Sequence, residues 1–285
     1  MFPQTELSAD PEALPAIGRA VETLGFDSLL FYDHVVGAQH SDREPPLWGP
    51  YTDSDPFHDP FVAMGYLAAI TERIELATGV LILPQRQTVL VAQQAADVDL
   101  LSHGRLRLGV GTGWNWVEYD ALGQDFAVRG RRLSEQVPLL RRLWSEPLVS
   151  FNGEFDRIER GCINPRPSGD IPVWFGGFGE AAFRRASRLG DGFSFAGDVD
   201  TALQGLNRLR DLLADAERDG HSFGCELIMT RARSASEVVD TAERWQQAGG
   251  SGVSVLTMKL GLGSVAGHLD HLASVRDAVD KRFDR

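Results

Sequence analysis

The chain has 285 residues, 43% hydrophobic and 24% charged, with a net charge of −12; this length buries a large core without staples, and the acidity disfavours nonspecific binding to nucleic acid or an anionic membrane. Cys162 and Cys225 lie far apart with no CxxC or zinc spacing, so neither a disulfide scaffold nor a structural metal is expected, and both read as small buried or half-buried thiols. The N-terminus lacks a basic segment followed by an apolar stretch, and no apolar run nears the roughly 18 residues of a membrane helix, so a cytoplasmic protein acting on a small molecule is expected.

In chain order, Met1–Thr5 reads as a short first strand. Asp10–Leu24 reads as a helix, with Ser8 or Asp10 as its cap, Pro11 in the first turn and Gly25 as its stop. The apolar run Asp27–Tyr32 is a second strand. The Gly-, Pro-, Asp- and His-rich stretch Asp33–Asp59 is a long loop. A helix over Pro60–Thr71 leads to a strand over Arg73–Leu83, a helix over Thr88–Leu101 and a strand over Arg105–Gly111. Helices follow near Trp114–Leu122 and Gly130–Trp144. In Leu148–Phe155 two short alternating runs flank Asn152-Gly153, a two-residue hairpin signal. Strands at Pro172–Phe175, Gly192–Phe195, Cys225–Thr230 and Gly252–Met258 then alternate with helices at Glu180–Leu189, Thr201–Arg218, Ser236–Ala248 and Val265–Val279.

That makes about eight strands, each followed by a helix. Continuous apolar strands imply burial on both faces, as in a parallel sheet. Count and length together favour an α/β fold of the (β/α)8 TIM-barrel type, with a long loop after strand 2 and a small hairpin insertion before strand 5. One domain over residues 1–285 is expected, with no linker.

In such a barrel the chemistry sits at the C-terminal ends of the strands, and four ends stand out. Asp33 and His34 follow the second strand directly. A histidine there handles a proton near neutral pH, with Asp33 to orient it; the alternative is a loop histidine paired with an acid for structure. Thr78, Gly79 and Val80 lie inside the third strand, where a glycine marks either a bulge near a ligand or a plain kink. After the fourth strand, GVGTGWN holds Thr112, Gly113 and Asn115, without the full GxGxxG dinucleotide pattern. Its glycines let a ligand approach the backbone closely, and Trp114 is placed to wall a pocket. Gly176, Gly177 and Phe178 precede a helix, where backbone N–H groups favour an anion over a merely flexible turn. His40 and His58 lie in the long loop without diagnostic metal spacing, and no metal site is expected. His268 and His271, three apart on the last helix, read as a solvated face.

Taken together, GFDSLLFYDH, ELATGVLILPQRQTVLVAQQAADVDLLSHGRLRLGVGTGWN, RGRRLSEQVPLLRRLW, NPRP and IPVWFGG resemble the bacterial luciferase-like superfamily, most of all the branch using the deazaflavin coenzyme F420. The resemblance runs from about residue 2 to residue 195, and more loosely to the end. It implies that Asp33 and His34 flank the cofactor ring, with His34 handling the proton. It implies a non-prolyl cis peptide in the bulge at Gly79-Val80, behind the ring. Thr112-Gly113 and Gly176-Gly177-Phe178 match the segments that hold the cofactor's tail and phosphate. The implied activity is hydride transfer between F420 and an organic substrate. The alternatives are an FMN-dependent monooxygenase on the same fold and a cofactor-binding protein without turnover. A homodimer is an expectation by analogy with relatives.

Three positions depart from the sugar-phosphate dehydrogenases of that superfamily. Trp114 stands where an acid follows the GTG, and Ala38 stands where a tryptophan follows the Asp-His pair. The chain also starts within the usual first strand, so either a shortened first strand or a true start upstream of Met1 is expected. The first two departures make glucose-6-phosphate an unexpected substrate.

Overall fold

A computed structural model describes residues 1–230 and 234–283. The chain alternates strands and helices around a curled parallel sheet. Its elements are α1 (Gln4–Leu7), α2 (Ala13–Thr23), β1 (Ser28–Phe31), α3 (Pro60–Ala68), β2 (Glu75–Thr78), β3 (Leu81–Ile82), α4 (Thr88–Leu101), β4 (Leu106–Gly111), α5 (Trp116–Ala121) and α6 (Arg129–Ser145). They continue as β5 (Val149–Asn152), β6 (Arg157–Gly161), β7 (Val173–Gly176), α7 (Glu180–Leu189), β8 (Gly192–Gly197), α8 (Val199–Asp215), β9 (Gly224–Met229), α9 (Ala235–Gln247), β10 (Gly252–Val255) and α10 (Val265–Phe283). The sheet runs β1-β2-β4-β7-β8-β9-β10, all parallel, with β3 paired to β4 beyond the end of β2. Parallel pairing puts every strand's C-terminal end at one rim.

The apolar strands are buried as their composition dictates. All six residues of β4 are buried, and Leu108, Val173, Phe175, Phe193 and Leu227 join one large core with the inner faces of the helices. Local chemistry starts several helices. Asp59 caps α3 by accepting Phe61 N and Val62 N, with Pro60 in the first turn. Ser234 and Glu237 form a reciprocal capping box on α9.

Several expectations need correction. Met1–Thr5 is not a strand: Pro3 has no N–H to give to a sheet, and the chain turns into α1. Only the Met1 amine and Phe2 N reach the sheet, donating to Val255 O at 2.9 Å and Leu30 O at 3.0 Å. Those two bonds span the edge strands β10 and β1. Helix α2 begins at Ala13, because Asp10 spends its carboxylate on Glu12 N. Arg73–Leu83 is two strands rather than one. Ala77 faces Arg107 and Leu81 faces Val110, so four steps of this strand oppose three of β4, which is a bulge. The Gly79-Val80 peptide within it is cis. The hairpin's turn runs over Gly153–Asp156, so Glu154 and Phe155 lie in the turn instead of a second strand, which is β6. Cys225 is buried but Cys162 is exposed. His268 is fully buried, because its face of α10 packs on the end of β10 and on α1. Its Nδ1 lies 2.9 Å from Thr257 Oγ1 and its Nε2 3.0 Å from Glu6 Oε2. Among the described residues no helix is long and apolar enough to cross a membrane.

Candidate active site

The C-terminal rim gathers most of the residues singled out in the sequence. Tyr32, Asp33 and His34 follow directly on the end of β1. Asp33 is buried, and its carboxylate is fully engaged: it accepts Ile82 N at 2.9 Å and Arg86 Nε and Nη2 at 3.1 and 2.6 Å. Arg86 Nη2 also reaches Asp59 Oδ2 at 3.1 Å. One guanidinium therefore ties the end of β1, the segment after β3 and the far end of the long loop together. Burial pushes the Asp33 carboxyl above its ordinary range, against the pull of Arg86 and the Ile82 N–H. Burial opposes charge on Arg86 too, but Asp33 and Asp59 outweigh it and raise its affinity for the proton. Asp33 is thus held by Arg86 and the Ile82 N–H.

The acid that reaches His34 is Glu118 on α5, which sequence reasoning missed. Glu118 is buried, and its Oε1 lies 3.4 Å from His34 Nδ1. The same oxygen accepts Val35 N at 2.6 Å and Val36 N at 3.0 Å. The only sequence signal was an acid amid the apolar residues of a short helix. Asn115 belongs to this grip. Its Oδ1 caps α5 by accepting Val117 N, and its Nδ2 donates to Val36 O. Both ends of that amide are used within the protein.

The His34 side chain is 10% exposed. Tyr51, Phe57 and Trp114 surround it, with ring centroids 5.0, 4.7 and 5.7 Å away. Tyr51 packs against Tyr32 with ring centroids 5.7 Å apart, and burial raises both phenols, Tyr32 to about 12. The long loop thus lies over His34. Gly49 rests against the Trp114 indole, where a Cβ would collide with the ring. Lys259 pins the loop from beyond β10, donating from Nζ to Pro50 O at 2.6 Å. His40 packs edge-on against Trp114, while His58 lies towards Phe2. Among the described residues no group of three or more His, Cys, Asp or Glu is placed to hold a metal ion.

The bulge between β2 and β3 has a specific shape. Thr78 Oγ1 donates to Gly109 O at 2.6 Å. The Val80 methyls lie 2.5 and 2.6 Å from the points where Cβ atoms on Gly111 and Gly176 would stand. So Gly111 and Gly176 are small to receive Val80, whereas the sequence had read the Gly111 segment as room for a ligand. Gly113, at φ +63°, faces Ile82, and Thr112 O accepts the Tyr119 hydroxyl at 2.7 Å. Gly177 takes φ +140°, which favours glycine, and Phe178 projects outward, 83% exposed.

Beside this rim lies a cationic group that the sequence reading did not assemble. Arg129 and Arg132 share a face of α6 at i, i+3 spacing. Both Nε atoms are buried without a hydrogen-bond partner. Arg185 of α7 lies close to the start of α6, and its Nη2 would touch a Cβ on Gly130. Burial, then the charge of Arg129, lowers the Arg185 proton affinity. None of the three forms an ion pair with an acid among the described residues. Half-buried cations gathered on adjoining helices, two of them with unpartnered Nε donors, suit an anionic group such as a phosphate.

A family model described as luciferase-like monooxygenase matches residues 2–280. An uncharacterized protein of Mycobacterium tuberculosis is 33% identical over 219 residues, covering 74% of this chain and 75% of its own length. A protein of Intrasporangium calvum named F420-dependent glucose-6-phosphate dehydrogenase is 36% identical over 210 residues, covering 70% of this chain and 57% of its own. Among solved structures, an F420-dependent secondary alcohol dehydrogenase in complex with an F420-acetone adduct superposes with a TM-score of 0.77 at 19% identity, covering 94% of each chain.

Proposed function

This chain belongs to the luciferase-like monooxygenase family, and we propose that it is an oxidoreductase that moves a hydride between coenzyme F420 and an organic substrate. The observation that carries this reading is His34 on the rim, beside a bulge whose Val80 side chain is seated between Gly111 and Gly176. We read the sheet as the (β/α)8 barrel of that family in a single domain, with Met1–Phe2 in place of a first strand.

The residues present fit such a cofactor. Arg129, Arg132 and Arg185, with the N–H groups of Gly176–Phe178, would hold its phosphate; the unpartnered Nε atoms of Arg129 and Arg132 support this. Thr78, Gly79, Val80, Thr112 and Gly113 would shape the ring and tail pocket. When bound, a deazaflavin gives or takes a hydride at C5. His34 exchanges a proton with the substrate through Nε2, the ring atom opposite Glu118. Asp33 holds the strand end in place through Arg86. The loop carrying Tyr51 and Phe57 excludes water from the imidazole.

Trp114, Tyr51 and Phe57 make an aromatic wall beside His34. That wall suits a flat apolar substrate better than a sugar phosphate. The matched part of the named glucose-6-phosphate dehydrogenase is 57% of its length, and its substrate is not carried over. The second reading is an FMN-dependent monooxygenase, favoured by the family description itself.

The test is turnover of reduced F420 against a panel of enones, imines and carbonyl compounds. We expect F420 oxidation with at least one class, and a drop of about 100-fold in kcat for His34→Ala, the scale of a lost proton-transfer group. Full turnover in His34→Ala would remove its role.

A further inference from the structure

We propose that Glu118 is the positioning residue of His34: it fixes which imidazole nitrogen carries the proton and holds the ring's nitrogen Nε2 towards the reacting centre. This rests on the reading of His34 as the proton-handling group. The acid next to His34 in the chain does not perform this task, because Asp33 is turned to Arg86 and the Ile82 N–H. Glu118 comes instead from α5, more than eighty residues later, and grips the strand end from two sides. Its Oε1 accepts the backbone N–H groups of Val35 and Val36 and faces His34 Nδ1 at 3.4 Å. Asn115, at the head of the same helix, adds a bond to Val36 O.

Glu118 is buried and makes no ion pair with Lys or Arg among the described residues. Its charge is met by two backbone donors and by the imidazole edge. At 3.4 Å the contact is long for a hydrogen bond, so its effect is mainly electrostatic. A carboxylate oxygen attracts an N–H at Nδ1 and repels a lone pair there. The neutral ring is therefore held as the Nδ1–H form, with its lone pair on Nε2. The other titratable neighbours do not compete for Nδ1. Tyr51 packs its ring against Tyr32, Asp33 is bonded to Arg86, and His40 stands on the Trp114 ring.

The test is the imidazole ¹⁵N spectrum of His34 at neutral pH, in the full chain and in Glu118→Gln, assigned with His34→Asn. We expect the proton to favour Nδ1 over Nε2 by about 10-fold or more in the parent, a scale set by a charge at this distance in a partly buried site. In Glu118→Gln, whose amide oxygen still serves Val35 and Val36, that preference collapses. Glu118→Asp restores part of it. A parent ring protonated mainly on Nε2 overturns the proposal, as does an unchanged spectrum in Glu118→Gln. If Glu118→Gln does not fold, the parent spectrum alone decides. No cofactor takes part, so failure here is separable from failure of the F420 reading, which a cofactor titration exposes.

Discussion

The Val80 side chain occupies the space that a Cβ on Gly176 would need, with Cγ1 2.6 Å from that point. The bulge of one strand is therefore keyed into a glycine two strands away. Gly176→Ala forces overpacking, which costs about 1–3 kcal/mol. Val80→Ala removes the obstructing methyls. We expect Gly176→Ala to lose stability in equilibrium denaturation and the double variant to recover most of that loss. Strict additivity of the two changes would contradict the keying, since residues in contact couple.

Arg86 and Asp33 form the second testable pair. Arg86→Leu leaves a buried carboxylate without its cation, and breaking such a pair costs about 3–5 kcal/mol. The loss should show in urea midpoints. Asp33→Asn together with Arg86→Leu should be more stable than Arg86→Leu alone, because the uncompensated charge is gone. A single variant as stable as the parent would mean that the bidentate pair contributes nothing.

The alternation of strand and helix was legible because DSLLFY, RLRLGVG and PVWF are continuous apolar runs that only a doubly covered sheet hides. The rim residues Asp33 and His34 were legible from their place after such a run. Their partners were not. Arg86 and Glu118 lie 53 and 84 residues away, and nothing local marks either as a partner. The glycines were read as places where a ligand comes close to the backbone. The approaching group at Gly111 and Gly176, however, is the protein's own Val80, which only tertiary packing reveals. Pro3 explains why Met1–Thr5 does not run on as a strand, and its lack of an N–H was visible in the sequence from the start.

Glu22 gives a pH prediction. Its carboxylate accepts the N–H groups of Glu72, Arg73 and Ile74 at 2.9, 2.7 and 2.9 Å. Burial pushes the carboxyl up, but these three donors outweigh it and hold it below its ordinary value. The folded chain therefore binds this proton less readily than the unfolded chain. The stabilisation is full above the unfolded value, about 4.3, and is lost as pH falls through the lowered folded value. Glu22→Gln should be less stable by about 1 kcal/mol at pH 7. That gap should close as the pH drops below about 4. A gap independent of pH would rule out an ionic origin.

The central claim is that this rim receives a deazaflavin. The most direct test is titration of the purified protein with F420 and, separately, with FMN, followed by cofactor fluorescence. F420 should saturate the protein with a Kd at least about 10-fold below that of FMN, a difference of roughly 1.4 kcal/mol. Arg129→Ala and Arg185→Ala should each weaken F420 binding. Tight binding of reduced FMN with no response to F420 would contradict the claim and leave the monooxygenase reading in its place.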